Sequence, residues 1–340
     1  MADLRTRYMG LELKSPIIAG ASNLVTDIHK LKKLEESGIG AIIYKSLFEE
    51  QVELENLELS ELKTEYEHRN AEQITLFPNS QSVPESPEDY LLNLKKAREA
   101  VSVPFLASLN AVTDEVWVEY AVKAAATGVD GLELNFYSLP DESGSDRDTI
   151  EKKQVDTLRK VKAAVKIPVA VKLTPYYTNT MKFIAELDRA GADAVVVFNR
   201  LIQPDIDVYA EKHTMPYNLS SSEDNRLPLR FTGMLHGRVK ASVCSSTGVY
   251  SANDVIKMIL AGADAVQVVS TLYRNGTEVV ASMNEEIGKW IDGHGYKSLD
   301  SFRGKLSMKK SESKLPYTRA QYIDFMMNSG DIMKKYRSLS

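Results

Sequence analysis

Four times along the chain a glycine follows helical text and opens a run of apolar, mostly β-branched residues. The four are Ser37-Gly-Ile-Gly-Ala-Ile-Ile-Tyr-Lys45, Thr127-Gly-Val-Asp-Gly-Leu-Glu-Leu-Asn135, Ala190-Gly-Ala-Asp-Ala-Val-Val-Val-Phe-Asn199 and Ala261-Gly-Ala-Asp-Ala-Val-Gln-Val-Val-Ser270. The glycine suits a left-handed helix terminus, and the near-continuous apolar run suits a strand buried on both faces. Four more runs interleave with these: Pro16-Ile-Ile-Ala-Gly-Ala21, Pro104-Phe-Leu-Ala-Ser-Leu109, Pro168-Val-Ala-Val-Lys-Leu173 and Ala241-Ser-Val-Cys-Ser-Ser246. Three of them begin at proline, which a strand tolerates at its first residue. Most runs are followed by amphipathic helical text, as in Thr26–Glu36, Val116–Ala126 and Thr180–Arg189. Eight buried strands alternating with helices predict an α/β fold, a closed (β/α)8 TIM barrel more readily than an open doubly wound sheet. Such a barrel carries its chemistry on loops at the carboxyl ends of the strands.

Two segments interrupt the alternation. Residues 47–92 are charged at first (Glu49–Glu58) and turn-rich later (Phe77–Pro87), and residues 200–238 contain Ser220-Ser-Ser-Glu-Asp-Asn225. Long loops of this kind build lids and substrate pockets, although the acidic run itself reads as a solvated helix or an extended edge. After Gly304-Lys-Leu306 comes polar text and then helical text to Ser340. The expected organisation is therefore a barrel over 1–306 with two insertions, and a helical tail over 307–340 that docks on the barrel or on a second subunit.

Composition narrows the function classes. The 340 residues are 43% hydrophobic, enough core for one large domain or two ordinary ones. A net charge of -5 without a basic stripe argues against nucleic acid as a partner. The opening residues Met1–Tyr8 hold no apolar signal core, and no apolar run approaches the ~20 residues that span a bilayer, so a cytoplasmic protein without membrane contact is expected. Cys244 is the single cysteine, which removes disulfides and thiolate metal sites, and no metal is expected. Within Val239–Cys244 it reads as strand packing rather than as a lone nucleophile.

The strand ends collect polar residues: Ala21 and Ser22 with Asn23, Lys45 and Ser46, Asn110, Asn135 with Tyr137 and Ser138, Lys172, Asn199 and Arg200, Ser245 to Gly248, and Ser270 with Thr271. Lysines on interior strands are costly unless paired or bound to an anion. One bland partner for either is Glu133. The turn Ser245-Ser-Thr-Gly-Val249 and the pair Ser270-Thr271 follow the seventh and eighth strands, where this fold often grips a phosphate. A phosphorylated ligand across the barrel mouth is implied. FMN and a phosphosugar both meet that description, and Lys172 could equally serve as the Schiff-base lysine of an aldolase or lyase.

The residues also carry a resemblance. Lys45-Ser46, Asn79-Ser80 with Pro84 and Asp89-Tyr90, Glu133-Leu-Asn135, Val171-Lys-Leu-Thr-Pro-Tyr176, Asn199, Ser245–Val249, Gly262-Ala-Asp264 and Gly293–Leu306 together resemble the class 1 dihydroorotate dehydrogenases, over most of residues 4–306. The resemblance implies an FMN-dependent oxidoreductase of pyrimidine biosynthesis that oxidises dihydroorotate to orotate. It places FMN on Ala21, Ser22, Lys45, Ser46, Asn135 and Lys172, with the phosphate on Ser246, Thr247, Gly248, Ser270 and Thr271. It gives the substrate to Lys45, Asn79, Asp141, Asn199 and Arg200, and it implies a homodimer.

The pattern departs from the family at Asn199-Arg200, where the family has Asn-Ser, in the segment Asn79–Glu85, at Ser245, Thr247 and Val269 in place of phosphate-turn glycines, and at the loop after the Glu-Leu-Asn strand. The family reads Ser-Cys-Pro-Asn after the Glu-Leu-Asn strand, with the cysteine as base, whereas this chain reads Tyr137-Ser-Leu-Pro-Asp141. Ser138 takes the cysteine's place, so Ser138, or Tyr137 if the loop is shifted, is the expected base, with Lys45 beside it. An FMN enzyme for a different cyclic substrate, with Arg200 as an anion clamp, is the nearest alternative, and a flavin-binding protein without turnover is another. Any iron–sulfur cluster would have to come from a partner chain.

Overall fold

A computed structural model describes residues 2–49, 86–110, 113–137, 147–200, 204–214 and 219–328, with Gly330 and Lys334. Twelve strands run through them. A hairpin of β1 (Thr6–Tyr8) and β2 (Leu11–Leu13) precedes β3 (Ile17–Ala19), β4 (Ala41–Phe48), β5 (Phe105–Asn110), β6 (Gly131–Phe136), β7 (Val169–Leu173) and β8 (Ala194–Val197). A second hairpin, β9 (Asp205–Asp207) and β10 (Lys212–Thr214), is followed by β11 (Ser242–Ser246) and β12 (Ala265–Val268). The eight strands β3 to β8, β11 and β12 are parallel and close into one barrel, β12 pairing with β3. All eight predicted strands are in it, with helices between them.

The repeated Gly-x-Asp phrase has a local cause. Gly128, Gly191 and Gly262 end their helices at φ +88°, +99° and +122°, in the left-handed region that favours glycine. The following aspartate then ties down the amino end of the neighbouring strand. Asp130 accepts from the Phe105 amide at 2.8 Å, Asp193 from Val169 at 2.7 Å and Asp264 from Val243 at 2.8 Å. Each aspartate's own amide donates back to the carbonyl of the same residue. In the first copy Gly40 stands in place of aspartate, because a Cβ there would lie 2.0 Å from the Ser15 carbonyl oxygen. The Ser15 hydroxyl accepts from the Ile17 amide at 3.2 Å instead.

Alternation along the strands divides the core in two. Outward residues such as Leu132, Leu134, Val169, Val171, Val195 and Val197 pack on the helices. Inward residues at the amino end, Ile18, Ile43, Leu106, Ala170, Val196 and Cys244, meet Tyr8, Met9 and Leu13 from the β1–β2 hairpin. That hairpin plugs the bottom of the barrel, and the Met9 amide donates to the Ser242 hydroxyl at 3.0 Å.

One boundary differs from the sequence reading. Residues 226–235, expected inside an insertion, form the helix between β8 and β11, and it packs on β11. Pro228 sits in its first turn, where a missing amide costs nothing, so the proline does not mark a loop. The tail docks on this helix. The Tyr317 ring lies where a side chain on Gly233 would stand, and its hydroxyl donates to the Leu306 carbonyl at 2.6 Å.

Candidate active site

A cavity of about 590 Å³ opens at the carboxyl end of the barrel. Strands β5, β6, β7 and β12 send Ser108, Glu133, Asn135, Lys172 and Gln267 inward, all buried. The barrel interior is therefore apolar at its hairpin end and polar at its mouth. Glu133 and Asn135 share the inward face of β6, two residues apart, as the pleat requires.

The lysine on β7 is not isolated. Lys172 Nζ donates to Gln267 Oε1 at 3.0 Å and stands 3.7 Å from Glu133 Oε1, while Gln267 Nε2 donates to Glu133 Oε2. Glu133 thus is the partner that the bland reading of Lys172 supplies. Gln267 is the member that sequence reasoning passed over. Its signal was one polar residue in the otherwise apolar Ala265-Val-Gln-Val268, in phase with the inward positions.

Lys45 and Ser46 are consecutive, yet both line the cavity. Regular pleating would send one inward and the other out, but the β4–β5 register shifts between Ile43 and Ser46. The Tyr90 hydroxyl sits at this irregularity, 2.9 Å from the Lys45 carbonyl and 3.2 Å from that of Ser108. Ser46 and Ser108 share a hydrogen bond of 2.7 Å across the two strands. Across the mouth, Asn199 Nδ2 donates to Asn135 Oδ1 at 2.9 Å. Phe48 and Tyr137 add aromatic edges to the same cavity.

A second, smaller cavity of about 150 Å³ continues the first, and Ala21, Lys172, Asn199 and Arg200 line both. Its far wall is the turn after β11 together with Ser220 and Ser270. Thr247 and Gly248 are both left-handed, φ +80° and +76°, and the Thr247 hydroxyl is held by the Phe198 carbonyl at 3.0 Å. No side chain fits at Gly248, where a Cβ would be 2.3 Å from the Asn225 amide nitrogen. The Ser270 hydroxyl accepts from the Ser220 amide at 3.1 Å and bonds its hydroxyl at 2.8 Å. In the sequence Ser220 stands only as the start of a polar run.

Most of the predicted residues converge on this pair of cavities: Ala21, Ser22, Lys45, Ser46, Asn135, Tyr137, Lys172, Asn199, Arg200, Ser246, Thr247, Gly248 and Ser270. Thr271 does not line either one. It is fully buried, accepts from Asn275 Nδ2 at 3.0 Å and faces the Tyr250 carbonyl, because the helix that begins at Ser270 rotates it away from the mouth. Asn79, Ser138 and Asp141 lie outside the described residues. Arg200 is within 3.6 Å of the Asp224 carboxylate.

Cys244 packs in the apolar floor, and burial, with Glu133 next, pushes its thiol well above the usual range. The same burial, reinforced by Cys244 and Glu133, raises the Tyr8 hydroxyl. Neither group is poised to exchange a proton near neutral pH.

Residues 3–291 match the family model described as dihydroorotate dehydrogenase. Among curated proteins, the chain is 26% identical over 313 residues to the dihydroorotate dehydrogenase B (NAD(+)) catalytic subunit of Thermoplasma volcanium, covering 89% of this chain and 98% of that one. The protein of the same description from Methanocella arvoryzae is 31% identical over 309 residues, 87% and 95% of the two chains. Dihydroorotate dehydrogenase A (fumarate) of Lactobacillus delbrueckii subsp. bulgaricus is 25% identical over 290 residues, 81% and 89% of the two.

Proposed function

Because the chain belongs to the dihydroorotate dehydrogenase family, we propose that it oxidises dihydroorotate to orotate with FMN laid across the two joined cavities. It is an oxidoreductase acting on CH–CH groups. The observation that carries the cofactor is the continuity of a large polar cavity with a small hydroxyl-lined one, through Ala21, Lys172, Asn199 and Arg200. The residues present fit the group. The Ser22 hydroxyl is buried on the cavity wall without a hydrogen-bond partner among the described residues, and the Thr247-Gly248 turn lines the small cavity. Ser246, Thr247, Gly248, Ser220 and Ser270 would hold the phosphate, while Ser46, Asn135 and Lys172 would meet the ring system.

When bound, FMN supplies the acceptor for the hydride. The chain's own part is to place the substrate and take its proton. Lys45 offers a cation to the substrate carboxylate, and the Asn135–Asn199 pair presents amides to a planar ring from one side. Ser138 is the proposed base, following Tyr137 at the cavity rim.

Relatives described as catalytic subunits support a partner chain that takes the electrons onward. A homodimer is also proposed. It is supported by Tyr322, Ile323, Phe325 and Met327, exposed on the tail helix Ala320–Met327. Light scattering before and after truncation at Leu306 measures it, and an unchanged mass would take the tail out of the interface.

The absorbance spectrum of the purified protein tests the cofactor, since protein that neither carries nor binds FMN removes it. Stopped-flow bleaching with dihydroorotate tests the substrate and the base together. Ser138→Ala should slow flavin reduction by roughly 10²–10⁴ while leaving FMN bound. Equal rates would take Ser138 out of the mechanism. A different cyclic substrate is favoured by one observation, the presence of Arg200 on both cavities. Flavin that dithionite reduces but dihydroorotate does not would reject dihydroorotate, and flavin reduction by another cyclic compound would then decide for it over a flavin-binding protein without turnover.

A further inference from the structure

We propose that Gln267 is a positioning residue that keeps the Glu133 carboxylate from closing on Lys172, so that the ammonium stays available to a ligand crossing the junction of the two cavities. The proposal rests on the reading of that ligand as FMN. Gln267 is 1% exposed, and burying a primary amide is costly unless both its ends are bonded. Here both are, in series: carboxylate, amide N–H, amide carbonyl, ammonium. The amide's orientation follows from its neighbours. Turned over, it would set a carbonyl against a carboxylate and an NH2 against an ammonium.

A direct lysine–carboxylate hydrogen bond runs about 2.7–2.9 Å. Lys172 Nζ instead stands 3.7 Å from Glu133 Oε1, and that oxygen has no hydrogen-bond partner among the described residues. The pair is therefore linked but not closed. Of the ammonium's three N–H groups, Gln267 takes one, and Lys172 lines both cavities.

Two substitutions should then act in opposite directions. Gln267→Met fills the space without an amide and lets Lys172 settle on Glu133, so its charge is spent before a ligand arrives. Glu133→Gln keeps the shape, removes the opposing charge and leaves the ammonium in excess. Reduced FMN carries more negative charge than oxidised FMN, so the preference for the reduced form reports the charge that Lys172 has to offer.

The measurement is the ratio of dissociation constants for oxidised and reduced FMN. Flavin fluorescence titration gives the first, and dithionite titration of bound against free FMN closes the cycle to the second. Gln267→Met should shift that ratio against the reduced form by roughly five- to a hundredfold, and Glu133→Gln should shift it in favour by a similar factor. A role in packing alone would move both dissociation constants together and leave the ratio unchanged. An unchanged ratio in Glu133→Gln, the variant that preserves shape, overturns the proposal even if Gln267→Met fails to fold. Wild-type protein that takes up no FMN overturns the flavin reading and this inference with it, whereas FMN-binding wild type with unmoved variants overturns this inference alone.

Discussion

Replacing Lys172 by methionine tests whether the polar mouth of the barrel is held by charge or only by shape. Glu133 has no exposed surface. Among the described residues its carboxylate has one amide donor, from Gln267, and one cation, Lys172. Methionine fills most of the lysine stem's volume, so the packing of β7 against β6 survives while the cation goes. An uncompensated buried carboxylate remains, a change that costs about 3–5 kcal/mol. In a Glu133→Gln background the same substitution removes the charge-assisted hydrogen bond from the Lys172 ammonium to the Gln267 carbonyl, about 1.5–3 kcal/mol. The coupling between the two sites should therefore be on the order of 2 kcal/mol, within the range for residues in one network. Urea unfolding of FMN-free protein, followed by circular dichroism, reads all four corners of the cycle, with equal slopes showing that the same surface is exposed each time. Lys172→Met costing the same in both backgrounds would show that Glu133 and Lys172 do not sense one another, and the charge argument would fall.

Two further outcomes follow from the geometry. Gly248→Ala forces a Cβ to within 2.3 Å of the Asn225 amide nitrogen at φ +76°, so it should cost about 1–3 kcal/mol of stability; it should also weaken FMN binding, and full retention of both by denaturation and flavin titration would remove this turn from the phosphate site. Burial, then Lys310, holds the His236 imidazole below its ordinary 6.5, so the unfolded chain binds the proton more readily. Its contribution is whole above that value and lost as pH falls through it toward the lower folded-state pKa. The wild-type thermal midpoint should drop more steeply than that of His236→Gln between about pH 7.5 and 5, and parallel curves would exclude His236 as the cause.

The barrel was legible because seven of its eight strands, all but β11, are short apolar runs between a glycine or proline and helical text, and short-range order suffices to write that pattern. The β1–β2 hairpin was not, since Thr6-Arg-Tyr8 and Leu11-Glu-Leu13 are three residues each and acquire a role only when a barrel needs a floor. Much of the site was legible by the same alternation that reveals the strands. It assigns Glu133 and Asn135 to one side of β6, and it separates Ser246, on the cavity, from Ser245, whose hydroxyl turns outward to the Met258 sulfur. Alternation fails where a distant residue intervenes. Tyr90 stabilises the irregularity that lets both Lys45 and Ser46 face the mouth, from 45 positions away in sequence. Gln267 meets Glu133 across 134 positions, and each residue alone reads as an unexplained polar group in an apolar strand. A buried polar residue states only that a partner must exist. Which partner it is depends on closure of the barrel, which brings β12 within reach of β6 and β7 across the interior. Two unexplained polar positions in phase on different barrel strands are therefore evidence for each other, and Gln267 with Glu133 was readable in that way.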